Sequence, residues 1–221
     1  MLSTKNVSSN RVSPVLSPGN CKVKINSLSF EATPYDKNSF NIILNVESEP
    51  VSGEFQGFLV DANKPDGPRY KGQVGRVRIT PYPFKDAVLD SGRKINKDQE
   101  ILKSVAFLAD VTGKRNEVDD INVDTIEAFM DKCKSIFKNT NYINTCIGGR
   151  EWENTEGYIN VDLHLPRISK TGVPMESLNV ESSRLITFNY EEHVRKFVKK
   201  EASGVSSFEA PAVNSGDDFE L

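Results

Sequence analysis

The sequence predicts a mostly β, α+β fold, with an OB-type five-stranded Greek-key barrel carrying two helices between strands three and four as the preferred architecture. Three observations predict it. Apolar and polar residues alternate in several short runs before residue 80. Between about residues 98 and 138 the apolar period becomes helical. Alternation then returns from residue 141. Strands, two helices and further strands is the element order of such a barrel. An α+β sheet with helices packed on one face has the same order, so element order alone does not choose between them.

Residues 1 to 20 are rich in Ser, Asn and Pro without a sustained period, which reads as a flexible arm. In Cys21 to Ile25 apolar residues alternate with polar ones, and after a shift Leu28 and Phe30 resume the alternation, as in a half-buried strand with an irregularity. Phe40, Ile42, Leu44 and Val46 share one face of the next strand, joined to the first near Pro34 to Asn38. Glu54 to Val60 and Gln73 to Ile79 are further strand candidates, separated by the loop signal Asn63 to Pro68. Arg76 and Arg78 lie on one face of the second.

Ile101, Leu102, Val105, Leu108 and Ala109 recur at helical spacing from Asp98 to about Val111; Asn96 or Asp98 can cap the start and Gly113 the end. A second helix is expected from Val123 to Lys138, with Phe129, Met130, Cys133 and Phe137 in its apolar stripe. Asn141 to Ile147 and Gly157 to Leu165 read as a strand pair joined by a loop from Gly148 to Glu156. After a Pro/Gly/Ser loop, Arg184 to Phe188 reads as a last short strand and Glu191 to Lys200 as a short basic helix. The body thus spans residues 21 to 200, followed by a disordered acidic tail, 201 to 221.

Charge distribution narrows the function. The chain carries a net charge of −3. Removing the tail's five carboxylates leaves the first 200 residues at +2. From Lys64 to Lys103 ten basic residues face five acidic ones. That stretch interleaves cations with aromatics: Arg69, Tyr70, Lys71, Arg76, Arg78, Tyr82, Phe84, Lys85, Arg93 and Lys94. Cationic grooves neutralise the phosphates of single strands while aromatic faces stack on bases. The alternative is a solvated basic face with Phe84 in the core. Gly148-Gly149-Arg150-Glu151-Trp152 is a second candidate, since two glycines let a backbone approach a ligand beside Arg150 and the only Trp. There the alternative is a glycine-bent turn with Trp152 covering the barrel end.

Other classes recede. Cys21, Cys133 and Cys146 form no C-x-x-C pair, so reduced, mostly buried thiols are expected and neither a metal nor another cofactor is implied. His164 and His193 stand apart from other metal-binding or catalytic side chains in sequence, which favours structural or solvent-facing roles. Nucleophile-elbow, zincin and P-loop motifs are missing, so no enzyme is expected. No apolar run approaches membrane-spanning length and the first residues lack a secretory core, so a cytoplasmic protein without membrane association is expected.

The tail places Asp217, Asp218 and Glu220 around Phe219 and Leu221, a composition suited to docking on a basic, apolar-floored partner. Body and tail together resemble the single-stranded DNA-binding proteins of tailed bacteriophages. The stretches Arg69 to Arg76, Phe84 to Asp86, Asp98 to Lys103 and Cys146 to Glu151 are similar to a protein of crAss-like gut phages. The resemblance implies an OB fold, cooperative coating of single-stranded DNA in phage replication and recombination, and a tail that recruits polymerase, helicase or primase. It leaves room for a homo-oligomer. The family's usual tip ends on an aromatic residue, whereas here Phe219 is followed by Glu220 and Leu221. The alternative from another class is a protein-interaction or virion-associated module that uses the tail as a docking peptide.

Overall fold

A computed structural model describes residues 15–34, 36–50, 72–81, 86–166 and 177–199. The strand expected at Glu54 to Val60 and the acidic tail lie outside them.

Strand β1 (Gly19–Thr33) is long because it serves two neighbours. Its first residues, Gly19 to Val23, pair with β6 (Ile143–Glu153), and from Val23 onward it pairs with β2 (Asp36–Ser48). A register shift between Ile25 and Ser27 leaves Asn26 unpaired in the β1–β2 ladder. This is the irregularity the sequence predicts. Without the extra residue the alternation that buries Val23 and Ile25 would turn Leu28 outward. With it, all three are buried.

Next across the sheet come β3 (Val74–Ile79), antiparallel to β2, and β7 (Ile159–His164), parallel to β3. Strand β7 is antiparallel to β6, and β6 returns to β1. The sheet therefore closes into a ring in the order β1-β2-β3-β7-β6-β1. A separate two-stranded hairpin consists of β4 (Ala87–Val88) and β5 (Lys94–Ile95). Short strands β8 (Leu178–Asn179) and β9 (Val194–Arg195) add to β6.

Helix α1 (Lys97–Thr112) begins where expected, with the Asn96 side chain accepting from the Asp98 and Gln99 amides, and ends at Gly113 in the left-handed region at φ 70°. Helix α3 (Ile126–Ile136) is shorter than the expected 123–138 because Thr125, extended, caps it through the Ala128 amide. Between them lies an unexpected helix, α2 (Arg115–Asp119), so among the described residues three helices and not two stand between β3 and β6. Its five residues bury only Val118, too little for a period to register. Ile101, Val105, Leu108 and Ala109 of α1 and Phe129, Cys133 and Phe137 of the α3 region join the strand residues Ile25, Ile42, Leu44, Val77 and Ile147 in one apolar core. Burial pushes the Cys133 thiol up to about 12 and that of Cys146 to about 11.

Four expectations are corrected. Order reaches N-terminal of residue 21: Leu16 is buried, and its amide donates to the Val74 carbonyl at 2.8 Å. The loop expected over 148–156 is mostly strand, since β6 runs through Trp152 to Glu153. Its turn is tight, because Asn154 Oδ1 accepts from the Glu156 and Tyr158 amides at 3.0 and 2.8 Å. No strand forms at 184–188; Ser182–Arg184 is a 3₁₀ turn. The following segment is tied by Asn20 Nδ2 donating to the Ile186 carbonyl. The basic helix expected at 191–200 shrinks to α4 (Tyr190–His193), after which Val194 leaves helical geometry to pack against Gly149. Among the described residues no helix is long and apolar enough to cross a membrane.

Candidate nucleic-acid interface

The outer face of the β3-β7-β6-β9 region is where the charged side chains converge. Val77 and Ile79 point into the core, so Arg78, between them on β3, points outward. It pairs in register with His164 of β7, which pairs with Gly148 of β6. Two residues along β6, on the same face, is Arg150, and Arg195 of β9 lies beside it. Arg78, Arg150, Arg195 and His164, with Thr80 and Leu165, line one hollow of about 380 Å³. Among the described residues none of the three guanidiniums makes an ion pair.

Trp152 follows Arg150 by two residues on the same face. It is 42% exposed, and its indole Nε1–H donates to Asp162 Oδ1 at 3.0 Å. Asp162 stands in register opposite Arg150 and not opposite Trp152. The ring therefore leans diagonally toward the arginines.

A short C-terminal strap delivers Arg195. Glu151, on the opposite face of β6, accepts from the Tyr190 hydroxyl at 2.6 Å and from the Phe197 amide at 2.9 Å. Those bonds hold its carboxyl below the ordinary range, and the same contact raises the Tyr190 phenol. Asn189 caps the strap's single helical turn through the Glu191 amide. The two glycines act here and not on a ligand. A Cβ on Gly148 would sit 2.6 Å from the His193 carbonyl oxygen. One on Gly149 would sit 2.6 Å from Val161 Cγ1 and 2.9 Å from Pro18 Cγ. The backbone that the glycines admit is the chain's own, which corrects the expectation of ligand approach.

The expected residues divide among three surfaces. Arg78 and Arg150 share the hollow, with Trp152 beside it. Arg76 projects on the same side of β3 but is ion-paired with Glu31 in an adjoining hollow that also includes Asp162. Arg93 and Lys94 lie at the separate β4–β5 hairpin, and neither lines the arginine hollow. Arg69, Tyr70, Lys71, Tyr82, Phe84, Lys85 and tail residues Asp217 to Leu221 lie outside the described residues. Arg195 and His164 were missed. The sequence favours a structural or solvent-facing role for His164 because no second ligand is near it, yet register puts it beside Arg78. Arg195 was assigned to a helix, and only the Val194–Gly149 packing reveals its partner. Among the described residues no three His, Cys, Asp or Glu side chains form a metal-binding group.

No protein-family model matches the chain, and a search of curated proteins finds no match.

Proposed function

We propose that this chain is a non-catalytic single-stranded DNA-binding protein that coats single strands in phage DNA replication and recombination, built on an OB-type barrel. The observation that carries the reading is the convergence of Arg78, Arg150, Arg195 and His164 on one hollow, the three guanidiniums making no ion pair among the described residues, beside an exposed Trp152. Guanidiniums present planar paired donors to phosphate oxygens, and an indole face accepts any base, so the combination favours single strands without demanding a sequence.

What supports the barrel assignment is the ring order. Numbered along the ring-forming strands alone, β1, β2, β3, β6 and β7 run first, second, third, fifth, fourth and back to first, with the third and fifth parallel and the helices before the fourth. In such barrels the loop between the fourth and fifth strands commonly contacts oligonucleotides. Here that hairpin carries Arg150 and Trp152 at its base. The tail at Asp217 to Leu221 is assigned to recruiting replication proteins.

The test is an anisotropy titration of the full chain with labelled dT30 and with a duplex of equal length at low salt. Tight binding to the single strand and weaker binding to the duplex are expected. No binding to dT30 overturns the reading.

A further inference from the structure

Among the described residues, charge on the outer face is a spot and not a stripe. The arginine hollow gathers three guanidiniums without an ion-paired carboxylate among the described residues. The hollow next to it, reached through Arg78, sets Arg76 and Arg78 against Glu31 and Asp162, so its formal charges cancel. A strand's sugar-phosphate backbone carries one charge per residue and favours a track of evenly spread cations. Continued from Arg78 past Arg76, that backbone would meet the two carboxylates. Among the described residues the positive surface therefore stops at Arg78 on this side.

A phosphomonoester differs from the links within a strand. It carries about −1.5 to −2 charges at pH 7 and three terminal acceptor oxygens, where a phosphodiester has a single charge and two such oxygens. Arg78, Arg150 and Arg195 reach this one hollow from three different strands, β3, β6 and β9. Three forked donors around one point suit a tetrahedral dianion better than a passing diester. Trp152 lies about 7 Å along β6 from Arg150, two strand residues away. Its indole donates to Asp162, which stands in register opposite Arg150. A base attached to a phosphate in the hollow would find that ring.

From this we infer that the hollow formed by Arg78, Arg150, Arg195 and His164 binds the phosphorylated end of a single strand, with the terminal base on Trp152. The inference rests on the single-strand reading above and adds an end preference to it. The strap positions Arg195: Val194 pairs with Gly149, and Glu151 accepts from Tyr190 and Phe197.

The experiment compares three dT8 probes against the full chain by anisotropy: 5′-phosphorylated, 3′-phosphorylated and phosphorylated at neither end, the two phosphorylated forms also in the presence of equimolar inorganic phosphate. One phosphorylated form is expected to bind about tenfold tighter than the unphosphorylated one, the contribution of one charge-assisted hydrogen bond. That advantage should fall below about threefold in Arg195→Gln. Equal binding of all forms overturns the end pocket and leaves single-strand binding standing. If inorganic phosphate abolishes the advantage at equimolar concentration, the hollow belongs to free phosphate and the strand-end assignment falls. Failure of every dT8 probe and of dT30 to bind overturns both readings.

Discussion

The two hollows on the outer face share Arg78 and little else. One is lined by Arg150, Arg195 and His164, the other by Arg76, Glu31 and Asp162. Both draw on β3, where Arg76 and Arg78 are two residues apart on one face. What separates them is the company each arginine keeps across the sheet. Arg76 reaches Glu31 of β1, whereas Arg78 lies beside His164 and near two further arginines. Basic residues close in sequence therefore make different surfaces, because a side chain from a non-adjacent strand, Glu31 of β1, ion-pairs one guanidinium and not the other.

Charge reversal should break the comparison most sharply. Arg150→Glu is expected to weaken dT30 binding by about a hundredfold or more, since it removes a donor and places a carboxylate among the remaining cations. Arg76→Glu, the same change in the neutral hollow, should cost less than about threefold. Equal losses would show that the two hollows form one site. Trp152→Ala should follow with a loss of about tenfold, in the range of one stacked base. Trp152→Phe should recover part of it, and an alanine variant binding like wild type would remove Trp152 from the interface.

The strap offers a smaller effect. Glu151→Ala removes the acceptor of Tyr190 and Phe197, and a loss of roughly threefold is expected, part of what Arg195 contributes. The same clamp gives a pH dependence. The folded-state carboxyl of Glu151 lies below its ordinary value of 4.5, so its contribution is complete above that value and is lost as pH falls through the depressed one. Tyr190, raised above 10.0, contributes below that value and loses its part as pH rises through the raised one. The protection factor of the Phe197 amide, its exchange rate relative to the intrinsic rate at each pH, should fall at the acidic end and hold near neutrality. Protection indifferent to acid would mean that Glu151 does not hold the strap. Least of all should binding respond to Leu16→Ala. Leu16 is buried where it lines the neutral hollow, so urea unfolding should show about 2–4 kcal/mol lost while dT30 affinity stays within about twofold.

Much of the ring was legible in the sequence. Alternation marked β1, β2, β3 and the outer parts of β6 and β7, and the shift between Ile25 and Leu28 announced the bulge at Asn26. The caps at Asn96 and Gly113 set both ends of α1. What failed depends on contacts between distant segments. Gly148 and Gly149 read as a loop because glycine weakens strand propensity, yet they continue β6 since a side chain there would collide with His193, Val161 or Pro18. The segment after His193 reads as a helix by composition, and packing of Val194 on Gly149 overrides that local preference. The site was half legible for the same reason. Arg78, Arg150 and Trp152 stood out by type, whereas Arg195 and His164 join them only through register.

The most direct measurement is Trp152 fluorescence on titration with dT30 across a salt series, in the wild-type chain and in Arg195→Gln. A single strand releases about 0.7 counterion per phosphate neutralised, so three arginines give a log–log salt slope at least as steep as about −2, and the variant should be shallower by about 0.7. Quenching with that change in slope is the predicted result. No quenching at low salt, or a slope that Arg195→Gln leaves unchanged, would contradict the assignment of the arginine hollow as the strand's anchor.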